Sequence, residues 1–65
     1  MPTTKGIDLR IERTRARATI IAVALQMGLS RQTLWTLERS EKVDPERARE
    51  YRAALRAIVD AREAS

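Results

Sequence analysis

The apolar positions of this chain recur at helical spacing. Val23, Ala24 and Met27 stand one and four positions apart in "IIAVALQM", and Leu34 and Leu37 stand three apart in the next segment. Alternation of apolar and polar residues with a period of two is absent, and glycine, proline and aromatic residues are few. The pattern therefore predicts an all-α chain.

A turn is predicted between the second and third helices. Thr19 is suited to cap the second helix, and Gly28 can end it by adopting the left-handed conformation. Ser30 is suited to cap a third helix that begins at Arg31. Two helices joined by a glycine turn of about three residues form the layout of a helix-turn-helix unit, here over about residues 19–40.

The two remaining predicted helices flank this unit. The first spans about residues 7–15 and turns Leu9 inward. Asp44 followed by Pro45 predicts the start of a C-terminal helix over about residues 45–62. One stripe runs along that helix at steps of three and four, formed by Ala48, Tyr51, Leu55, Ile58, Val59 and Arg62.

Length and composition narrow the class of protein. A chain of 65 residues predicts one domain over residues 1–65, near the lower size limit for independent folding. It has no cysteine and no histidine, which excludes disulfide frameworks, zinc sites built on those ligands, and cysteine or histidine catalysis. The longest apolar run, residues 20–25, is far shorter than a membrane span, and the N-terminus lacks the apolar core of a signal peptide. We expect a soluble protein of the cytoplasm.

The net positive charge of the chain comes from its N-terminal part. Residues 1–39 contain seven basic and three acidic side chains, whereas residues 40–65 contain six of each, so the first part carries the whole net charge of +4. This asymmetry favours a polyanion as the partner of the N-terminal part. The alternative is that the arginines reflect coding composition and solvated helix faces.

The single tryptophan stands on the polar side of the third helix. At 100° per residue, Trp35 points about 130° away from the side that Leu34 and Leu37 define. The side chains predicted to be exposed on this helix are Arg31, Gln32, Trp35, Thr36 and Arg39. Their guanidinium, amide, hydroxyl and aromatic groups are suited to contact base edges in a major groove. Packing of Trp35 at the core or its edge, or in a protein interface, is the alternative.

The stretch "VALQMGLSRQTLWTLERS" resembles the second and third helices of the lambda repressor/Cro-type (Xre-like) helix-turn-helix DNA-binding domains. Leu9, Arg10 and Arg13 match the "LRxxR" of that family's first helix, so the likeness covers about residues 9–40. The resemblance implies a small bundle of four to five helices, here with a longer C-terminal helix. It also implies base contacts from Arg31, Gln32, Trp35 and Thr36.

Further roles come with this resemblance. Arg13 aligns with a position that forms a structural salt bridge to the glutamate matched by Glu38. Ile20 stands where the family usually has a glutamine that contacts phosphate, and backbone amides at the helix N-terminus are expected to replace it. Phosphate contacts are predicted for Arg10, Arg15, Arg17, Ser30, Thr33 and Arg39, with simple solvated charge as the alternative for the first three.

A recognition helix reads few base pairs, so we expect a homodimer on half-sites about 34 Å apart. The C-terminal helix is the candidate interface, through Tyr51, Leu55, Ile58, Val59 and Arg62. The same stripe could instead complete the core, or its first part could pack inward while the last two turns face outward. The predicted function is a sequence-specific double-stranded DNA-binding transcriptional regulator in the bacterial cytoplasm or nucleoid. The resemblance implies a Cro-like repressor of a phage, prophage or mobile element that binds a palindromic operator.

The competing hypothesis is a small protein-interaction module, antitoxin-like or an antirepressor subunit, whose helices cover a protein partner. An enzyme is not expected, since scattered carboxylates such as Glu38 and Asp60 lack an accompanying nucleophile, metal cluster or phosphate-cradling glycine loop. No cofactor, metal, membrane or small-molecule effector is expected either.

Overall fold

Helices occupy most of the part of the chain that the structure, a computed structural model, describes: residues 4–64. Within that part there are four α-helices and no strand, so the all-α prediction is confirmed. The predicted domain also includes residues 1–3 and Ser65, which lie outside the described residues. The helices are α1 (Gly6–Arg15), α2 (Ile20–Met27), α3 (Arg31–Glu38) and α4 (Pro45–Ala64).

Both ends of α2 form as the sequence predicts. The Thr19 side chain accepts a hydrogen bond from the Ala22 N–H at 3.1 Å, which satisfies one free amide of the first turn. Gly28 has φ +70°, and the Leu29 N–H donates to the Ala24 carbonyl at 2.9 Å. This is the hydrogen bond of a Schellman motif, and it reverses the chain into the corner before α3.

The next two helices begin at the predicted caps. The Thr33 N–H donates to the Ser30 hydroxyl at 3.1 Å at the start of α3. At the start of α4, the Glu46 N–H donates to an Asp44 carboxylate oxygen at 2.9 Å, and Pro45 occupies the first helical position. From there α4 continues as one helix of 20 residues.

Each helix contributes one large, fully buried side chain to a single core. These side chains are Leu9, Val23, Leu34 and Tyr51. Smaller apolar residues fill the space between them: Ala18, Ala24, Val43, Ala48, Ala54 and Leu55. Both α1 and α2 pack against α3 and against α4, so α3 is held from two sides.

The position of the α4 stripe corrects the predicted dimer interface. Tyr51 is fully buried and Leu55 nearly so, and neither can contact a second copy because both already lie inside this chain's own core. Ile58 is partly buried against the same core, and Val59 is partly buried. The Arg62 guanidinium donates to carbonyl oxygens at the end of α1 and in the turn that follows. Tyr51 and Leu55 therefore belong to this chain's own core, whereas a contact of Ile58, Val59 and Arg62 with a second copy stays a prediction.

The turn after α1 contains a residue in the left-handed region. Arg17 has φ 56°, and its N–H donates to the Thr14 carbonyl at 3.1 Å while the Ala18 N–H donates to the Arg13 carbonyl at 3.1 Å. A second Schellman motif thus ends α1, with arginine in the position that favours glycine. This backbone conformation costs about 1–2 kcal/mol for a residue with a Cβ.

The start of α1 lies directly against the end of α3. The Gly6 N–H donates to the Ser40 carbonyl at 2.8 Å, and the Val43 N–H donates to the Thr4 carbonyl at 2.9 Å. A Cβ on Gly6 would lie 2.6 Å from the carbonyl carbon and oxygen of Glu38, and closer still to the Leu37 carbonyl oxygen. Glycine is therefore required here by the close approach of two backbones.

Candidate nucleic-acid interface

The side of α3 opposite the core is exposed. Leu34 is fully buried, whereas Trp35, the next residue, has 47% of its surface exposed. Trp35 is therefore not buried in the core, while packing at the edge of the core or in a protein interface stays open as the alternative. Five exposed side chains form this surface, which we call the α3 face: Arg31, Gln32, Trp35, Thr36 and Arg39.

Two adjoining grooves extend the α3 face onto the neighbouring helices. Ile20 and Trp35 line both of them. Arg31 and Gln32 complete one groove, and the other is completed by Arg10, Arg13, Glu38 and Arg39. Arg10 of α1 and the first residue of α2 therefore flank the α3 face.

The basic residues predicted to contact phosphate do not all lie together. Arg10 and Arg39 line the same groove beside Trp35. Arg15 and Arg17 are exposed at the end of α1 and in the turn that follows, and neither lines the two grooves of the α3 face. The structure thus brings Arg10 and Arg39 to this surface and leaves the other two apart from it.

Arg39 and Trp35 are in direct contact. The guanidinium carbon of Arg39 lies 4.0 Å from the centre of the Trp35 ring. At this distance the cation is attracted to the face of the aromatic ring, by about 0.5–1 kcal/mol at an exposed site. The contact holds a positive charge on the α3 face and limits the orientations that the indole can take.

Three hydroxyl groups near the α3 face already have partners within the chain. The Ser30 hydroxyl caps α3 and lies 2.8 Å from the Thr33 hydroxyl. The Thr36 hydroxyl donates to the Gln32 carbonyl at 3.1 Å, one turn earlier in the same helix. The Thr36 hydroxyl can therefore offer a base edge an acceptor oxygen and its methyl group while this bond persists.

A buried charge network fixes α3 in position. Glu38 has 4% of its side chain exposed and receives Arg13 Nε at 2.7 Å and Arg13 Nη2 at 3.1 Å. Arg13 also donates from Nη1 to the Ala18 carbonyl at 3.1 Å. The predicted salt bridge is present, and it ties α1 both to α3 and to the turn before α2.

Tyr51 completes this network, a role that the sequence did not predict. Its hydroxyl donates to Glu38 Oε2 at 2.5 Å. Burial is the largest cause that raises the pKa of Tyr51 well above its usual value, and the hydrogen bond to Glu38 is the second. The phenol therefore stays protonated. The hydrogen bond to Glu38 raises the pKa of Arg13 as well. The end of α3 is thus held by α1 and α4 through one carboxylate.

A second ion pair joins α1 to α4 at the surface. Arg52 Nε and Nη2 donate to the two carboxylate oxygens of Glu12 at 3.0–3.2 Å, and this hydrogen bonding raises the pKa of Arg52. Both side chains are well exposed, so solvent weakens the interaction.

Neither a metal-binding cluster nor a membrane-spanning helix occurs within residues 4–64. No group of three or more aspartate, glutamate, cysteine or histidine residues within residues 4–64 could hold a metal ion. Across the same residues, each helix is too short or too polar to cross a membrane.

Comparisons with protein-family models, with curated protein sequences and with solved structures found no match to this chain.

Proposed function

We propose that the protein is a sequence-specific double-stranded DNA-binding transcriptional regulator that places α3 in the major groove. The observation that carries this proposal is the exposed α3 face, in which Arg31, Gln32 and Trp35 project from a helix anchored by Leu34 and Glu38. In this reading α2, the Gly28 corner and α3 form a helix-turn-helix unit, in agreement with the resemblance noted from the sequence.

The size and chemistry of α3 suit a major groove. An α-helix with its side chains is about 10–12 Å in diameter, and a major groove about 12 Å wide admits it. Arg31 can donate two hydrogen bonds to guanine O6 and N7, and Gln32 can pair with adenine N6 and N7. Because α3 is fixed by buried contacts, these side chains approach the bases from a rigid support.

The flanks of the α3 face suit the phosphate backbone. Arg10 and Arg39 supply positive charge beside Trp35. Neither α2 nor α3 has an acidic residue in its first turn, so the positive ends of both helix dipoles stay uncompensated there. The concentration of the net charge in residues 1–39 supports the same orientation.

The fuller proposal is a Cro-like repressor of a phage, prophage or mobile element that acts in the bacterial cytoplasm. Two copies would bind the two halves of a palindromic operator, because one short helix reads few base pairs. Of the interface residues predicted from the sequence, Ile58 and Val59 keep part of their surface exposed for such a contact.

Replacement of Gln32 by alanine tests the base-reading role. A random duplex library is first enriched on the wild-type protein, and binding to the enriched duplex and to a scrambled duplex is then measured over a range of salt. We expect Gln32→Ala to weaken binding to the enriched duplex about 5- to 150-fold, the cost of one bidentate base contact, and to leave scrambled-duplex binding unchanged. Salt should weaken wild-type binding with a slope of about −0.9 per phosphate neutralised.

Gln26→Ala is the matched control. Gln26 is also exposed, but it lies on α2 beside α4, in a groove away from the α3 face. We expect this variant to bind both duplexes like the wild type. Failure to enrich any duplex sequence, or equal losses in the two variants, would contradict the proposal.

One observation favours the second candidate function, a protein-interaction module. Ile21 and Leu25 lie one turn apart on the outer side of α2 and are 52% and 77% exposed, far more than the core residues of the same helix. An exposed apolar pair of this kind suits contact with another protein. This function becomes the better one if no duplex is enriched and Leu25→Gln removes binding to a protein partner.

A further inference from the structure

Two apolar side chains line the surface where the α3 face adjoins the start of α2. Trp35 is 47% exposed, and Ile20, the first residue of α2, is partly exposed while it also packs against the core. They are the two residues that line both grooves of this surface, so they form the wall between them. We call this pair the Ile20–Trp35 wall.

The residues on both sides of the wall are polar or charged. On one side lie Arg31 and Gln32, and on the other lie Arg10 and Arg39. The isoleucine side chain has no hydrogen-bonding group, and the face of the indole has none either. The contact with Arg39 restrains the ring, so the wall keeps its shape when the face is approached. The wall therefore favours an apolar group of the partner between the polar contacts.

A duplex presents one such group in its major groove, the methyl on C5 of a pyrimidine. Thymine carries it in every A·T pair, while unmodified cytosine presents a polar N4 amine and no methyl. We propose that the Ile20–Trp35 wall binds a pyrimidine C5-methyl group and so selects thymine at the base pair next to the one that Gln32 reads. This inference rests on the proposed function and adds to it a base preference set by an apolar contact rather than by a hydrogen bond.

The expected effect is small but measurable. Burial of one methyl-sized group contributes enough free energy to change an equilibrium constant about fourfold. Removal of the methyl from the contacted thymine should therefore weaken binding about fourfold, with no hydrogen bond of the base pair altered.

The test uses the duplex enriched from the random library and exchanges thymine for deoxyuridine one position at a time. At the sensitive position the T·A pair is also replaced by C·G and by 5-methyl-C·G, so that the methyl effect is measured in two base pairs. Wild type, Trp35→Gln and Leu25→Gln are compared, the last as a control that removes an apolar group from the outer side of α2. Circular dichroism of each variant checks that it is folded.

We expect deoxyuridine to weaken wild-type and Leu25→Gln binding about fourfold at one position or at two adjacent positions, and to leave Trp35→Gln unaffected. If binding also becomes about fourfold tighter when C is replaced by 5-methyl-C, the wall recognises the methyl group on either pyrimidine. If the methyl group changes the affinity only in the T·A pair, the wall recognises thymine. An enriched sequence without thymine, or equal binding to thymine and deoxyuridine, would overturn this inference and leave the proposed function standing. Failure to enrich any duplex would remove the proposed function itself.

Discussion

Gly6→Ala should destabilise the protein by about 3 kcal/mol or more, at or beyond the usual upper range for overpacking. The added Cβ would collide with the backbone of Leu37 and Glu38, which cannot rotate away as a side chain can. Helix propensity predicts the opposite sign, since alanine in place of a helical glycine gains about 1 kcal/mol. For a domain of this size the loss is a large fraction of its whole stability. Urea unfolding followed by circular dichroism measures it.

Gly28→Ala is the control for this substitution. Gly28 has φ +70°, but nothing lies within 4 Å of the Cβ that alanine would add. Its cost should therefore be about 1–2 kcal/mol, from backbone conformation alone. If the Gly6→Ala variant is as stable as the Gly28→Ala variant or more stable, this result would contradict the close approach of α1 to the end of α3.

The second large effect is expected for Arg13→Ala, at about 3–5 kcal/mol. The substitution leaves the Glu38 carboxylate buried with Tyr51 as its remaining hydrogen-bond donor. Chemical unfolding of the purified variant gives the free energy. Adding Glu38→Gln to Arg13→Ala should recover part of the loss, because the double variant no longer buries an unpaired charge.

Arg52→Ala provides the matched comparison. Arg52 also pairs with a carboxylate through two nitrogen atoms, but both partners are well exposed. Its replacement should cost less than about 1 kcal/mol. Equal costs for the Arg13 and Arg52 variants would show that the Arg13–Glu38 pair does not act as a buried network.

The local features of the fold were predictable because they depend on neighbours in the sequence. The caps at Thr19, Ser30 and Asp44 and the turn at Gly28 each use hydrogen bonds between residues no more than five positions apart. The helical spacing of Leu34 and Leu37 also predicted which side of α3 is buried. Such information is present in any short window of the chain.

The contacts between distant segments could not be predicted in the same way. Periodicity shows which side of α4 is apolar, but not whether this chain or a second copy covers it. The spacing of Tyr51 therefore fits a dimer interface as well as the core, and the structure places it in the core, where it donates to Glu38. The approach of Gly6 to Leu37 joins residues 31 positions apart, and the sequence around Gly6 carries no sign of it.

The same contrast between local features and contacts of distant segments holds for the candidate site. The composition of the α3 face follows from its angle to Leu34, so the exposed position of Trp35 could be predicted from the sequence. Arg10, Arg15 and Arg17 look alike in the sequence, and their separation comes from tertiary packing, which leaves Arg10 beside Trp35. The Ile20–Trp35 wall also depends on packing, since its members come from different helices.

The central claim is that a DNA duplex covers the α3 face, and the fluorescence of Trp35 tests it most directly. Trp35 is the chain's single tryptophan, so every change in indole emission reports on this surface. In the free protein the indole is 47% exposed and should be quenched readily by acrylamide. Addition of the enriched duplex at moderate salt should shift the emission and strongly reduce quenching by acrylamide, while a scrambled duplex at the same concentration should do so far less. Unchanged quenching by acrylamide under conditions where the duplex is bound would contradict the account, because the DNA would then lie on another surface.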